Sequence, residues 1–138
     1  MGVLRHRATA RFDLIAPAGF EMLCALVDAA SHLGEDLTIT CGTDGHAATD
    51  PHTLGAAYDV SVRLFPPTFQ QRLILYLRTA LGSSFTVLYE CPTMPTDPGL
   101  AAIAYVNPAA TGVHCHLQLK NGMTYPPRPP APVPTAVT

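Results

Sequence analysis

The run Val113-His114-Cys115-His116-Leu117-Gln118-Leu119 alternates apolar and polar side chains without a break. Successive side chains of a strand point to opposite faces, so a period of two fits a half-buried strand and no helix. Val113, Cys115, Leu117 and Leu119 then face a core, while His114, His116 and Gln118 face away from it. The fold must therefore contain a sheet with one apolar face and another that carries imidazoles. Two such rings, two residues apart, stand about 6–7 Å apart at the backbone, which lets both converge on one ion or one water.

The rest of the chain supplies partners for that strand. Phe20, Leu23, Cys24, Val27 and Ala30 recur at helical spacing, which predicts a first helix over 17–33 capped by Gly34. Residues 37–41 read as a strand with Leu37, Ile39 and Cys41 on its apolar face. A loop rich in Gly, Asp, Thr and Pro follows over 42–55, and 56–62 resumes an extended pattern. Thr68 is the expected N-cap of a second helix over 69–81, with Phe69, Leu73, Tyr76, Leu77 and Ala80 as its buried stripe. A strand over 85–90, a Pro-rich loop over 91–99, and two strands over 101–106 and 112–120 joined at Asn107-Pro108 complete the body. The expected fold class is α+β: two helices packed on a small, mainly antiparallel sheet. Residues 1–13 read as an N-terminal arm, 14–122 as the domain, and 123–138 as an exposed Pro-rich tail.

Composition narrows the function. With 138 residues, 48% hydrophobic and 13% charged, the chain suits one globular domain. A net charge of −2 leaves no basic face for phosphate neutralisation, which argues against a nucleic-acid partner. No membrane span is expected, because Glu21, Asp28 and His32 interrupt the most apolar stretch. No apolar segment follows the basic residues of 1–11, so no signal peptide is read and synthesis in a cytoplasm is expected. Cys24, Cys41, Cys91 and Cys115 form no C-x-x-C pair and read as buried free thiols.

The second chemical cluster is His52-Thr53-Leu54-Gly55-Ala56-Ala57-Tyr58-Asp59. His52 ends a turn-rich loop, and Gly55 permits a tight entry into the following strand. Ala57 and Asp59 share a face there, opposite Tyr58 and Val60. A buried carboxylate in an apolar segment needs a partner, and a metal cation is a good one. His52, Asp59 and His116 supply two nitrogens and one oxygen, a donor set suited to a mononuclear catalytic Zn2+ that keeps a fourth position for water. His114 beside it could serve as acid/base or stabilise a developing oxyanion. Oxygen-only cations fit this set poorly.

The pattern His52-x-x-Gly55-x-Ala57-x-Asp59, followed by His114-x-His116, resembles the zinc D-alanyl-D-alanine peptidase family, whose members include carboxypeptidases, dipeptidases and phage endolysins, and which shares its fold with the hedgehog signalling domain. The resemblance covers roughly residues 14–120 in element order. It implies His52, Asp59 and His116 as zinc ligands, with His114 at a catalytic position. Glu90 falls where some small phage-type members carry Glu, and is a candidate catalytic residue; its other reading is a strand-end charge in solvent. The implied activity is hydrolysis of an amide bond in peptidoglycan stem or cross-link peptides, acting at the cell wall after phage-type release or from a virion. The alternative is a non-catalytic, zinc-stabilised wall-binding or virion-associated module of the same fold. The chain departs from the family in carrying Asp50, rather than Ser or Thr, two residues before the first ligand. It also has no Arg in the stretch 40–46, where many members place one for a substrate carboxylate; Arg63 reads as a substitute or as a solvent-facing charge. His46 is a further candidate for lining the cleft, against a surface reading, and His6 and His32 read as surface residues.

Overall fold

The structure, a computed structural model, describes residues 2–43, 50–52 and 54–120. The expected Pro-rich tail and His46 lie outside the described residues.

One six-stranded mixed sheet forms the body. Its strands, in chain order, are β1 (Leu4–His6), β2 (Leu37–Cys41), β3 (Ala57–Ser61), β4 (Phe85–Cys91), β5 (Ala104–Val106) and β6 (His114–Leu119). Across the sheet they run β1-β2-β3-β6-β4-β5. The central pairings β2–β3, β3–β6 and β6–β4 are antiparallel, and the edge pairings β1–β2 and β4–β5 are parallel. Helices α1 (Pro17–Leu33) and α2 (Pro67–Leu81) cover one face, and a short α3 (Pro98–Ala101) precedes β5. The α+β expectation and the central antiparallel sheet are therefore present. The arm expected over 1–13 contributes an edge strand, which Asp36 fixes by accepting from the Val3 backbone N–H at 2.9 Å.

The core face consists of Tyr58, Val60, Cys115, Leu117, Val87 and Tyr89, all buried under Met22, Leu26, Leu73, Ile74 and Leu77. On α1 the buried side is Ala18, Gly19, Met22, Ala25, Leu26 and Ala29, whereas Phe20 and Val27 are half exposed. Of the stripe expected on Phe20, Leu23, Cys24, Val27 and Ala30, only Ala30 is fully buried, and the buried side is displaced around the helix. The reason is steric: a Cβ at Gly19 would collide with the Gly55 carbonyl, so the small-residue side of α1 is the one that fits against the turn before β3. Helix α2 buries Phe69, Leu73 and Leu77 as expected, while Tyr76 is half-buried and Ala80 exposed, and it starts at Pro67 with Pro66 as N-cap rather than at Phe69 with Thr68 as N-cap.

The segments around 101–106 and 112–120 do not form a hairpin. β5 pairs in parallel with β4, while β6 lies between β3 and β4. Asp97 caps α3 by accepting from the Leu100 backbone N–H at 3.1 Å, with Pro98 at the first helical position. That turn of helix supplies the crossover that a parallel neighbour needs.

Candidate metal centre

On the face away from the helices, adjacent strands place the polar residues in two rows. Asp59 of β3 is registered with His116 of β6, and Ser61 with His114. Across the other edge of β6, His114 is registered with Glu90 of β4. The alternation of each strand thus brings Asp59, His114, His116 and Glu90 to one place, as the patterns of β3 and β6 predict.

A fifth residue arrives by a different device. Between Ile39 and Cys41 the β2–β3 register shifts, so Ile39 stands opposite Val60 and Cys41 opposite Asp59. The extra residue turns Cys41 onto the Asp59 face, which corrects the expectation that it shares the core face of Leu37 and Ile39. Cys41, His52 and Asp59 form one group of donor atoms within 4.8 Å of one another, and Asp59, His114 and His116 form a second. Asp59 belongs to both.

His52 reaches the site from a tight turn. Gly55 has φ 71°, and a Cβ there would collide with the Leu14 carbonyl, so both conformation and space require glycine. Gly55 N–H donates to the His52 carbonyl at 2.9 Å, and the Gly55 carbonyl accepts from the Ala16 N–H at 3.2 Å. The turn is thereby tied to the start of α1, and His52 is only 4% exposed.

The distances define two kinds of imidazole. His52 Nε2 lies 3.2 Å from Asp59 Oδ2, and its Nδ1 lies 2.9 Å from Asp50 Oδ1. His116 Nδ1 lies 2.8 Å from Asp59 Oδ1, and its Nε2 lies 3.0 Å from Gln118 Oε1. Each of these rings presents one nitrogen to Asp59 and has the other held by an oxygen acceptor. His114 is different: the same nitrogen, Nε2, lies 2.9 Å from Glu90 Oε1 and 3.5 Å from Asp59 Oδ1. Glu90 is therefore no solvent-facing strand-end charge; its side chain is 15% exposed and pairs with His114.

Electrostatics follow from the same contacts. Burial would raise the Asp59 pKa, but hydrogen bonds from His116 and His52, and the charge of the nearby imidazoles, hold it well below the usual carboxylate range. Burial would lower the pKa of His52 and His116, yet Asp59 overrides it and both are raised above their ordinary 6.5. Without a metal, Asp59 is an anion stabilised by the rings around it.

Each of the two donor groups could hold a metal ion, and neither of them joins His52 with His116. Ligands about 2.0–2.1 Å from a tetrahedral ion stand roughly 3.4 Å apart. Asp59 meets His116 at 2.8 Å, a hydrogen-bond distance, through Oδ1 and His52 at 3.2 Å through Oδ2, so the two rings address different carboxylate oxygens. An oxygen acceptor on the distal nitrogen is the arrangement that fixes tautomer and ring orientation in metal-binding histidines. Asp50 and Gln118 supply such an acceptor to His52 and His116 and are not among the sequence-derived site residues; their signal is an acceptor two residues from each ring, at i−2 for His52 and i+2 for His116.

Among the described residues, no helix is long and apolar enough to cross a membrane. No family model, curated protein or solved structure matches the chain.

Proposed function

We propose that this protein is a zinc-dependent peptidase that hydrolyses an amide bond in peptidoglycan stem or cross-link peptides, with the metal held by His52, Asp59 and His116. The observation that carries the reading is the division of labour among the rings: His52 and His116 each turn one nitrogen to Asp59 and have the other held, while His114 is committed to Glu90. The ion would supply a Lewis acid that polarises the scissile carbonyl and acidifies water. The chain's own groups do the rest. Asp50 and Gln118 orient the two ligand rings. Glu90 and His114, 2.9 Å apart and on one edge of the cluster, form a proton-handling pair. One proton leaves the attacking water for this pair and returns to the leaving amine, with His114 serving either in that transfer or as a donor to negative charge on the carbonyl oxygen. The choice of wall peptide as substrate rests on the resemblance of the His52–Asp59 and His114–His116 motifs.

The test separates the two roles. His116→Ala should lose both zinc, about one per chain in the parent protein, and release of free amines from purified peptidoglycan. His114→Ala should keep the zinc and lose turnover. Full zinc and activity in His116→Ala would sink the assignment.

One observation favours a second reading, the non-catalytic module. Cys41 joins His52 and Asp59 in a donor group, and a thiolate in the fourth position would close the shell as in structural zinc sites. In that case Cys41→Ser would weaken zinc retention and peptidoglycan would be bound with no amine released.

A further inference from the structure

The Asp59 carboxylate stands between two sets of donors, and each set addresses its own oxygen. Strand β3 lies between β2 and β6, so Asp59 has Cys41 as its register partner on one side and His116 on the other. His52 Nε2 stands 3.2 Å from Asp59 Oδ2. Cys41, His52 and Asp59 offer a sulfur, a nitrogen and an oxygen, all within 4.8 Å of one another. At the other oxygen, Oδ1, His116 Nδ1 stands at 2.8 Å and His114 Nε2 at 3.5 Å. Asp59, His114 and His116 meet the same 4.8 Å limit. The rings of His52 and His116, one from each set, have centroids 5.0 Å apart.

This division suits a bridge. Cys41, His52, Asp59, His114 and His116 together exceed the four positions that one tetrahedral ion fills. A carboxylate that gives one oxygen to each of two ions serves centres in which the ions stand about 3.5–4 Å apart. Donors on one tetrahedral ion stand roughly 3.4 Å apart. His52 Nε2 at Oδ2 and His114 Nε2 at Oδ1 are near that separation, at 3.2 and 3.5 Å. His116 Nδ1 has only to open from hydrogen-bond contact as a metal takes the place of the shared proton. Each shell then has three protein donors and a position for water. Imidazole with thiolate or carboxylate selects a borderline divalent ion, Zn2+ or Co2+, over Mg2+ or Ca2+.

We propose that excess metal converts this centre into an Asp59-bridged pair of ions. The first ion is the one assigned above to His52, Asp59 and His116. The second takes Asp59 Oδ1, His114 and His116. Cys41 then replaces His116 beside His52 and Oδ2 on the first ion, and its thiol proton passes to solvent on coordination. A regulatory consequence follows, and it rests on the peptidase reading. His114 Nε2 is the nitrogen that lies 2.9 Å from Glu90 Oε1. An ion bound to that nitrogen takes it out of proton transfer, so the two-ion form is the inactive form of the enzyme.

Ion counting and turnover test this, and they fail separately. Zn2+ is added to the full chain beyond two equivalents, and bound ions are counted by native mass spectrometry. The parent protein should pass from one ion to two, one for each donor group. Cys41→Ser and His114→Ala should each stop at one, and His32→Ala, outside the cluster, should reach two. Saturation of the parent at one ion, or a second ion that persists in either cluster variant, overturns the pair. A measurement on the parent alone guards against a variant that misfolds. With Co2+ in place of Zn2+, the second equivalent should bring a thiolate-to-cobalt charge-transfer band and weaken the electron paramagnetic resonance of the first through the carboxylate bridge. Additive resonances, or no such band, overturn it. Turnover is then compared at one and at two bound ions within each protein. The parent should fall about 10²-fold or more, the scale of lost acid–base catalysis, and Cys41→Ser should show no fall. Constant turnover with two ions counted overturns the regulation and leaves the peptidase reading intact. Two ions counted with no turnover at any zinc level does the reverse: the pair stands and the peptidase reading falls.

Discussion

The strands β3, β6 and β4 show two different chemistries on their two faces, one residue apart. Ile39, Val60, Cys115 and Tyr89 form a row across the sheet that is buried under the helices. The next row carries Cys41, Asp59 and His116, and the row on the other side carries Ser61, His114 and Glu90. A slip of one residue in any of these ladders would put imidazoles in the core and Leu117 in the site. The apolar face therefore fixes the register, and the register fixes the geometry of the polar face. The core row does positional work for a centre that it does not touch.

The largest effect should come from the core side of this comparison. Leu117 is fully buried, registered with Tyr58 on one side and Val87 on the other. Leu117→Ala should cost about 2–5 kcal/mol, read as a lower urea midpoint, while the folded fraction still takes up zinc. A loss below about 1 kcal/mol would mean that β6 is held by its polar face instead.

A smaller effect, of the opposite kind, is expected on the polar face. Asp50→Ala and Gln118→Ala each remove the acceptor from the distal nitrogen of a proposed ligand ring. Each should weaken zinc binding about 10–100-fold, measured by competition with a chromophoric chelator. His114 has no such partner on its second nitrogen among these contacts, and Glu90→Gln should alter turnover far more than zinc affinity. If Glu90→Gln instead weakened zinc as much as Asp50→Ala does, the second donor group, with Asp59, His114 and His116, would be the metal shell.

The two faces also differ in how readily they were legible. Strict alternation at 113–119 and 57–60 assigned both faces of β6 and β3 correctly, because a regular strand has one parity throughout. Parity breaks at the register shift in β2, so Cys41 was read onto the wrong face; no sequence period marks a bulge. On α1 both candidate stripes are apolar, and the choice between them was made by the close approach of Gly19 to Gly55, a long-range contact. The separation of β5 from β6 likewise depends on which edges are free after the central strands pair. Its local clue, Asp97-Pro98-Gly99 opening a helix, was present but short.

The smallest effect is a pH dependence that the polar face should show and the core face should not. In the metal-free protein, Asp59 titrates below its ordinary 3.8, because hydrogen bonds from His116 and His52 outweigh the cost of burying its charge. Its contribution is present above that value and is lost as the pH falls through the lower folded one. His52 and His116 titrate above their ordinary 6.5, since Asp59 overrides the effect of burial. Their contribution is present below 6.5 and is lost as the pH rises through the higher folded values. Metal-free protein should therefore be most stable between these limits, in the mildly acidic range. Zinc requires ring nitrogens without protons, so its stabilisation should grow over the interval where the histidine contribution fades. Cys115, between His114 and His116, has its thiol pushed up by burial and stays protonated throughout, contributing no slope. Melting temperatures of zinc-loaded and chelator-treated protein should thus diverge steadily from pH 5.5 to pH 8, a window bracketing the ordinary histidine value of 6.5. Parallel curves across that window would mean that no imidazole of the cluster changes its proton on binding, and would separate the metal from the rings that surround Asp59.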